Sequence, residues 1–109
     1  MALQEVGNFS LTCQGGFVAR VMFSYLDDDG NKQHTGQSGD VPLGQTRKVD
    51  PGSMGVPDGA LTYLYVFVVW GTDNEATRAF TYRKGNPMTA NYTISGTTLG
   101  NSLGLTGIS

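Results

Sequence analysis

Cysteine is nearly absent from this sequence of 109 residues, which contains Cys13 alone. An intrachain disulfide is therefore excluded, and with it the covalent cross-link that stabilises many small secreted domains. Free cysteine is commonly a small buried residue, so we expect Cys13 to lie in the core. A reactive thiol and an intermolecular disulfide are the alternatives.

Charged residues are also scarce. They make up 15% of the chain, against about 25% in an average globular protein. The formal net charge is -2, and the seven Lys and Arg residues are scattered, with their densest point at TRKVD, residues 46–50. This distribution lacks the basic surface that a nucleic-acid backbone requires, so we predict no nucleic-acid partner.

Long apolar runs are missing as well. No segment approaches the roughly 18 to 20 apolar residues of a membrane-spanning helix, so the sequence predicts no transmembrane helix. The first ten residues, MALQEVGNFS, show neither the charged and apolar regions nor the cleavage site of a classical signal peptide. We expect a cytosolic protein, a protein exported by a non-classical route, or one processed before this numbering begins.

Side chains suited to catalysis or metal binding are few. The chain has one histidine, so a catalytic arrangement would need His34 together with Cys13 or with a serine that no motif marks. The acidic residues at 27–29 lie in a turn-like stretch, and Tyr25 stands where an EF-hand loop needs its first ligand. We predict no enzyme, no cofactor and no metal site; a loosely held surface calcium ion at 27–29 is the alternative.

Alternation of polar and apolar residues is what the sequence has in abundance. Short alternating stretches bounded by Gly, Pro, Asn and Asp recur along the chain, and none of helical length has a 3.6-residue period. The length suits a single domain, residues 1–109. We predict an all-β fold: a two-sheet antiparallel β-sandwich of about seven short strands, immunoglobulin-like in size, with a small β-barrel as the alternative.

The predicted strands follow from this pattern. They lie at 8–13, 17–26, 32–39, 45–49, 61–70, 75–83 and 88–95, and the glycine-rich tail can add one more. Asp29-Gly30 and Pro57-Asp58-Gly59 are typical turn sequences. The polar stretch at 32–39 is predicted to be an edge strand.

The segment LTYLYVFVVW at 61–70 is apolar on both faces. We assign the even-numbered Leu64, Val66 and Val68 to the core. The odd-numbered face then needs cover, either from the Gly- and Pro-rich loop at 40–60 or from a partner. If 71–74 forms the following loop, this face continues onto the next strand as an aromatic interface of a homo-oligomer. The predicted interface comprises Tyr63, Tyr65, Phe67, Arg78, Phe80 and Tyr82.

Trp70, the only tryptophan, stands at the end of this segment. With Asp73 and Asn74 it forms a predicted ligand-binding group, in which the ring stacks on a sugar and the polar side chains bond its hydroxyls; a core tryptophan is the alternative. The sequence thus favours a non-enzymatic binding module with a carbohydrate or cell-surface ligand, lectin-like in character. The alternatives are a self-assembling structural subunit that uses the aromatic face and a membrane-active, toxin-like protein.

Overall fold

The computed structural model describes residues 3–109 and contains two β-sheets with a common core. The predicted all-β sandwich is confirmed, with eleven strands in the described residues rather than about seven. The strands are β1 (Glu5–Val6), β2 (Asn8–Cys13), β3 (Ala19–Leu26), β4 (Lys32–His34), β5 (Asp40–Val41), β6 (Thr46–Val49), β7 (Leu61–Val68), β8 (Asn74–Glu75), β9 (Phe80–Tyr82), β10 (Thr89–Gly96) and β11 (Asn101–Ile108). A 3-10 turn spans Pro51–Met54.

The larger sheet is built around β3 and β7. Its order is β1-β9-β7-β3-β4, with β5 also paired to β3 and β8 to β7; the smaller sheet has the order β11-β10-β2-β6. Both sheets are mixed rather than purely antiparallel, because β1 runs parallel to β9 and β2 parallel to β10. The chain passes from one sheet to the other at Gly7, where a Cβ atom would lie 2.0 Å from the carbonyl oxygen of Asn86.

The core lies between the sheets and follows the predicted alternation. Cys13 is fully buried, which confirms its predicted place, and the Phe9 ring lies 5.1 Å from that of Phe23 across the interface between the sheets. Leu64, Val66 and Val68 are buried as predicted. Other buried apolar residues at alternate positions of the predicted strands are Phe9, Leu11, Phe17, Ala19, Val21, Phe23, Ala90, Tyr92 and Ile94. Asp29-Gly30 and Pro57-Asp58-Gly59 form turns as predicted, with Gly30 and Gly59 at positive φ.

The pairing of β7 with the strands after it corrects the predicted register. Val66 pairs with Asn74 in β8, so an odd number of residues separates the first partners, and Thr62 pairs with Phe80 in β9. An odd separation reverses the sorting of side chains between the two faces. Phe80 and Tyr82 therefore point into the core, where they are 0% and 1% exposed, and not onto the predicted aromatic face.

The outer face of β7 is covered by side chains of its own sheet. Tyr63, Tyr65 and Phe67 are half-buried there. Each ring has a basic or imidazole group against it: Arg20 lies 5.8 Å from the Phe67 ring, Lys32 5.7 Å from Tyr63, and His34 5.6 Å from Tyr65. The segment 40–60 does not form this cover, because its strands β5 and β6 pair with β3 and with β2.

Candidate functional site

Four loops meet at one end of the sandwich. Strands β2, β7 and β10 end there, and β3, β6 and β11 begin there, as their pairings require. Backbone hydrogen bonds join the loops. Val69 N–H donates to the Val18 carbonyl at 3.0 Å within the larger sheet, and Thr72 N–H donates to the Thr98 carbonyl at 2.9 Å between the two sheets. We call this end the apolar tip; it comprises residues 14–18, 42–45, 69–72 and 97–100.

Three large apolar side chains project from the apolar tip into solvent. Trp70 is 94% exposed, Leu99 78% and Leu43 61%, and each belongs to a different loop. The other strongly exposed large apolar residue in the described chain, Leu3 at 41%, lies near Asn86 at the opposite end. Apolar exposure in this molecule is therefore concentrated at one end.

Charge is concentrated at the other end. None of the residues of the apolar tip is charged. The loops at the opposite end, between β3 and β4, between β6 and β7, and between β9 and β10, carry Asp27, Asp28, Asp29, Asp50, Asp58, Arg83 and Lys84. The two ends of the sandwich thus differ, since one carries charged loops and the other is uncharged and apolar.

The backbone at Trp70 has an unfavourable conformation. Its φ is 57°, the one positive value at a non-glycine residue among residues 3–109. Gly71 N–H donates to the Val68 carbonyl at 3.1 Å, so Trp70 occupies the third position of a tight turn that glycine normally fills. A left-handed conformation costs an L-residue about 1–2 kcal/mol. The stability of the turn therefore favours glycine at this position and does not explain the tryptophan.

Asp73 and Asn101 hold this turn in place. The Asp73 carboxylate accepts the Tyr65 hydroxyl at 2.7 Å and the Val68 N–H at 3.0 Å. The hydrogen bond to Asp73 is the main reason that the pKa of Tyr65 is raised to about 12. Asn101 donates to the Thr72 carbonyl at 2.7 Å and accepts from Asn74 at 2.8 Å. The turn is therefore pre-formed, and Trp70 projects from a braced base.

A shallow groove runs beside the Trp70 ring. It has a volume of about 400 Å³ and is lined by Gly16, Phe17, Val18, Val69, Trp70 and Thr98, which come from both sheets. Its walls come from three adjoining loops, 14–18, 69–72 and 97–100. The groove extends the apolar surface of Trp70 sideways.

The predicted ligand-binding residues are brought together, but their polar groups are already engaged. Trp70 and Asp73 lie in the loop between β7 and β8, and Asn74 is the first residue of β8. Both carboxylate oxygens of Asp73 accept hydrogen bonds within the protein, and the Asn74 side-chain nitrogen donates to Asn101. A direct role of all three in binding a sugar stays a prediction.

The predicted interface is divided by the structure. Tyr63, Tyr65 and Phe67 share the outer face of the larger sheet, whereas Phe80 and Tyr82 lie in the core. Arg78 is exposed, and its guanidinium lies 4.8 Å from the Phe80 ring centre. The three half-buried rings stay a predicted interface, without Phe80 and Tyr82.

The candidate catalytic groups do not meet. Cys13 is fully buried, with its Sγ atom 3.4 Å from the Phe17 carbonyl oxygen, whereas His34 is exposed on edge strand β4 and contacts the Ser24 hydroxyl. The Asp27 carboxylate accepts from Asn31, Gln33 and Asp29, which lowers its pKa and accounts for the turn. Among residues 3–109, no three acidic, histidine or cysteine side chains cluster as metal ligands would.

Sequence reasoning identified Trp70 but missed its companions Leu43 and Leu99. Each stands in a short loop next to glycine, in Pro42-Leu43-Gly44 and Thr98-Leu99-Gly100. A large apolar residue in an uncharged, glycine-containing turn is the signal that could have found them, because such a residue has little chance of burial.

The described part of the chain contains no helix with the length and apolar character needed to cross a membrane.

Solved structures with the same fold include parts of several toxins. The human-specific toxin intermedilysin aligns with a TM-score of 0.53 and 15% identity over 94% of this chain and 23% of that one. A Gram-negative toxin gives 0.51 and 18% over 92% and 22%, and listeriolysin O gives 0.50 and 21% over 91% and 22%. The chain therefore spans less than a quarter of each of these proteins, and identities this low show the fold alone. No protein-family model matches the sequence, and a comparison with curated proteins gives no match either.

Proposed function

We propose that this protein is a non-enzymatic binding module that attaches to the surface of a lipid bilayer through the apolar tip. The observation that carries the proposal is the projection of Trp70, Leu99 and Leu43 from three loops at one uncharged end. Apolar exposure of this kind in a compact protein marks a contact surface. A bilayer fits it because the three side chains are exposed on separate loops of one end and are not gathered in an enclosed cavity.

The chemistry of the tip suits the boundary between lipid headgroups and acyl chains. Tryptophan is enriched at this depth because its ring is apolar and its indole N–H can stay hydrogen-bonded. The residues of the apolar tip carry no charge, and the carboxylate next to them, Asp73, is hydrogen-bonded to Tyr65 and to Val68 within the protein. This arrangement limits the cost of bringing an ion towards a medium of low dielectric constant. The charged opposite end would remain in water.

The expected attachment is weak and reversible. Each large side chain moved out of water contributes about 1.5–3 kcal/mol. Three of them, less the cost of restricting the protein at the surface, give a binding strength near that of one acyl anchor, which alone is marginal. Because the hydrogen bonds around Asp73 and Asn101 brace the turn in advance, little further ordering is needed on binding.

Two of the proteins that share the fold are named as toxins, and likeness at 15–18% identity supports the fold and no more. Binding to a glycan remains the alternative for the same ring. It is the weaker of the two, since Asp73 and Asn74 use their polar groups within the protein and leave Trp70 alone to contact a sugar.

Trp70 is the only tryptophan, so its fluorescence reports directly on the tip. With the full chain and vesicles of phosphatidylcholine, we expect the emission to shift to shorter wavelength and to be quenched by lipids brominated near the headgroup. Trp70→Gly should lower binding in a flotation assay about tenfold or more, because a large apolar contact is lost. Its unfolding midpoint should be unchanged or higher, since glycine relieves the left-handed strain.

Leu3→Ser is the matched control, because it removes an exposed apolar residue at the opposite end. This variant should float with vesicles as the original protein does. An unchanged Trp70 emission in the presence of vesicles, or equal binding by the Trp70→Gly variant, would contradict the proposal. A spectral response to a panel of sugars, without one to vesicles, would favour the glycan alternative.

A further inference from the structure

Three of the four sheet edges in the described residues are short and charged. Strand β1 has two residues and carries Glu5 in an ion pair with Arg83; β4 has three and carries Lys32 in an ion pair with Glu75. Strand β6 has four residues and carries Arg47 and Lys48. Short length and charge are the usual means by which proteins prevent pairing between sheet edges.

The fourth edge, β11, has neither protection. It is eight residues long, NSLGLTGI, and no residue from 85 to 109 is charged. A bulge at Thr106, where the register skips from Gly107 to Leu105, ends the regular part of the strand. Residues 101–105 remain as a regular, uncharged edge.

This edge presents unpaired backbone groups at defined positions. In the described residues β11 forms its ladder with β10 alone. Pairs in such a ladder alternate between those that exchange hydrogen bonds and those that direct N–H and C=O outward. Thr97 N–H donates to the Gly100 carbonyl, so Thr97 and Gly100 form a hydrogen-bonded pair, and every second pair after it is hydrogen-bonded as well. The pairs of Leu103 and Leu105 are the intervening ones, and the backbone N–H and C=O groups of these two leucines point away from β10.

Between these two leucines lies an open position. Gly104 is exposed, its φ lies outside the positive range, and a Cβ atom built there has no neighbour within 4 Å. A neighbouring strand can therefore approach Gly104 closely without displacing any side chain.

We propose that β11 pairs with β11 of a second copy of this chain, antiparallel and about a two-fold axis at Gly104. In this register Leu103 exchanges backbone hydrogen bonds with Leu105 of the second copy, and Leu105 does so with Leu103 of the second copy. The two Gly104 residues lie directly opposite one another as a pair without hydrogen bonds. The edge is self-complementary because it holds no like charges to repel. The other candidate, β6 of a second copy, presents Arg47 and Lys48, for which β11 has no acidic partner.

The test uses the full chain in sedimentation equilibrium, with Gly104→Lys and Gly104→Glu variants. The unmodified protein should show a monomer–dimer equilibrium, and each variant alone should raise the dissociation constant about fivefold or more, since like charges then face each other. An equimolar mixture of the two variants should recover the dimer as a heterodimer. Gly36→Lys is the control, because Gly36 is also exposed with open space at its Cβ position but lies away from β11.

Hydrogen exchange gives a second measurement. The amide protons of Leu103 and Leu105 should exchange more slowly as protein concentration rises, and those of β4 should not change. A protein that is monomeric at all concentrations overturns the proposal, as does a dimer that both Gly104 variants leave intact. Stronger association of Gly104→Glu alone would show that β11 pairs with β6 of the second copy. None of these outcomes depends on membrane binding.

Discussion

At the scale of single residues, two core tyrosines differ in what their hydroxyl groups contact. Tyr82 donates to the Asp50 carboxylate, and burial together with this contact raises its pKa to about 12. The Tyr92 hydroxyl is buried and has no hydrogen-bond partner among residues 3–109, and burial raises its pKa as well. A buried polar group without a partner costs free energy, whereas a bond to a charged acceptor stabilises the fold.

Substitution by phenylalanine should therefore have opposite effects at these two positions. Tyr92→Phe should raise the free energy of unfolding in urea by about 1 kcal/mol, because it removes the unpaired hydroxyl. Tyr82→Phe should lower it by about 1.5–3 kcal/mol, because Asp50 loses a donor. The two variants control for each other, as both keep a buried ring. A loss of stability in both would indicate that the Tyr92 hydroxyl has a partner after all.

At the scale of elements, the turn between β7 and β8 depends on the hydrogen bond between Tyr65 and Asp73. The pKa of Tyr65 is raised to about 12, above the ordinary value near 10, so folding favours the protonated hydroxyl. Its contribution to stability is then fully present below pH 10 and is lost as the pH rises towards 12. In a pH titration followed by phenolate absorbance, Tyr65 should ionise at higher pH than a tyrosine with the ordinary pKa near 10.

Tyr65→Phe should remove one late-ionising tyrosine and flatten the decline of stability between pH 10 and 12. The anisotropy of Trp70 fluorescence should fall in this variant, because Asp73 keeps only the Val68 N–H as a partner. Tyr63→Phe serves as the control on the same face of β7. A variant of Tyr65 with unchanged anisotropy and an unchanged alkaline transition would show that the turn does not need this hydrogen bond.

The sequence predicted elements well where one face of a strand is buried. Alternation at 8–13 and at Leu64, Val66 and Val68 predicts which side chains are buried, and the structure confirms it. The alternation carries no information on which strand lies beside which, so the parallel pairing of β2 with β10 was missed.

The predicted register after β7 was wrong because the loop that joins β7 to β8 has an odd number of residues between the first paired residues. In this loop Asp73 accepts a hydrogen bond from Val68 N–H, a local contact that the sequence pattern does not indicate. The tip was predicted only through Trp70, since Leu43 and Leu99 become neighbours only when the loops assemble.

At the scale of the whole molecule, the apolar tip and the β11 edge have a joint geometric consequence. Antiparallel pairing about a two-fold axis at Gly104 turns the second copy end over end. The two apolar tips of the dimer would then point in opposite directions, on a molecule whose longest dimension is 36 Å. Such a dimer cannot place both tips in one flat bilayer, but it can place one in each of two bilayers.

If both proposals hold, the protein should cluster vesicles at concentrations where it dimerises. Turbidity of a phosphatidylcholine vesicle suspension should rise with the unmodified protein and with Gly36→Lys. Gly104→Lys should still float with vesicles but leave them dispersed. Trp70→Gly should float much less and should also leave the vesicles dispersed. Because one variant removes the bridge and the other removes the attachment, the two failures are distinguishable. Vesicles that stay dispersed although bound dimer covers only a small part of their surface would contradict the antiparallel arrangement, because each bound dimer then has a free tip and free membrane within reach.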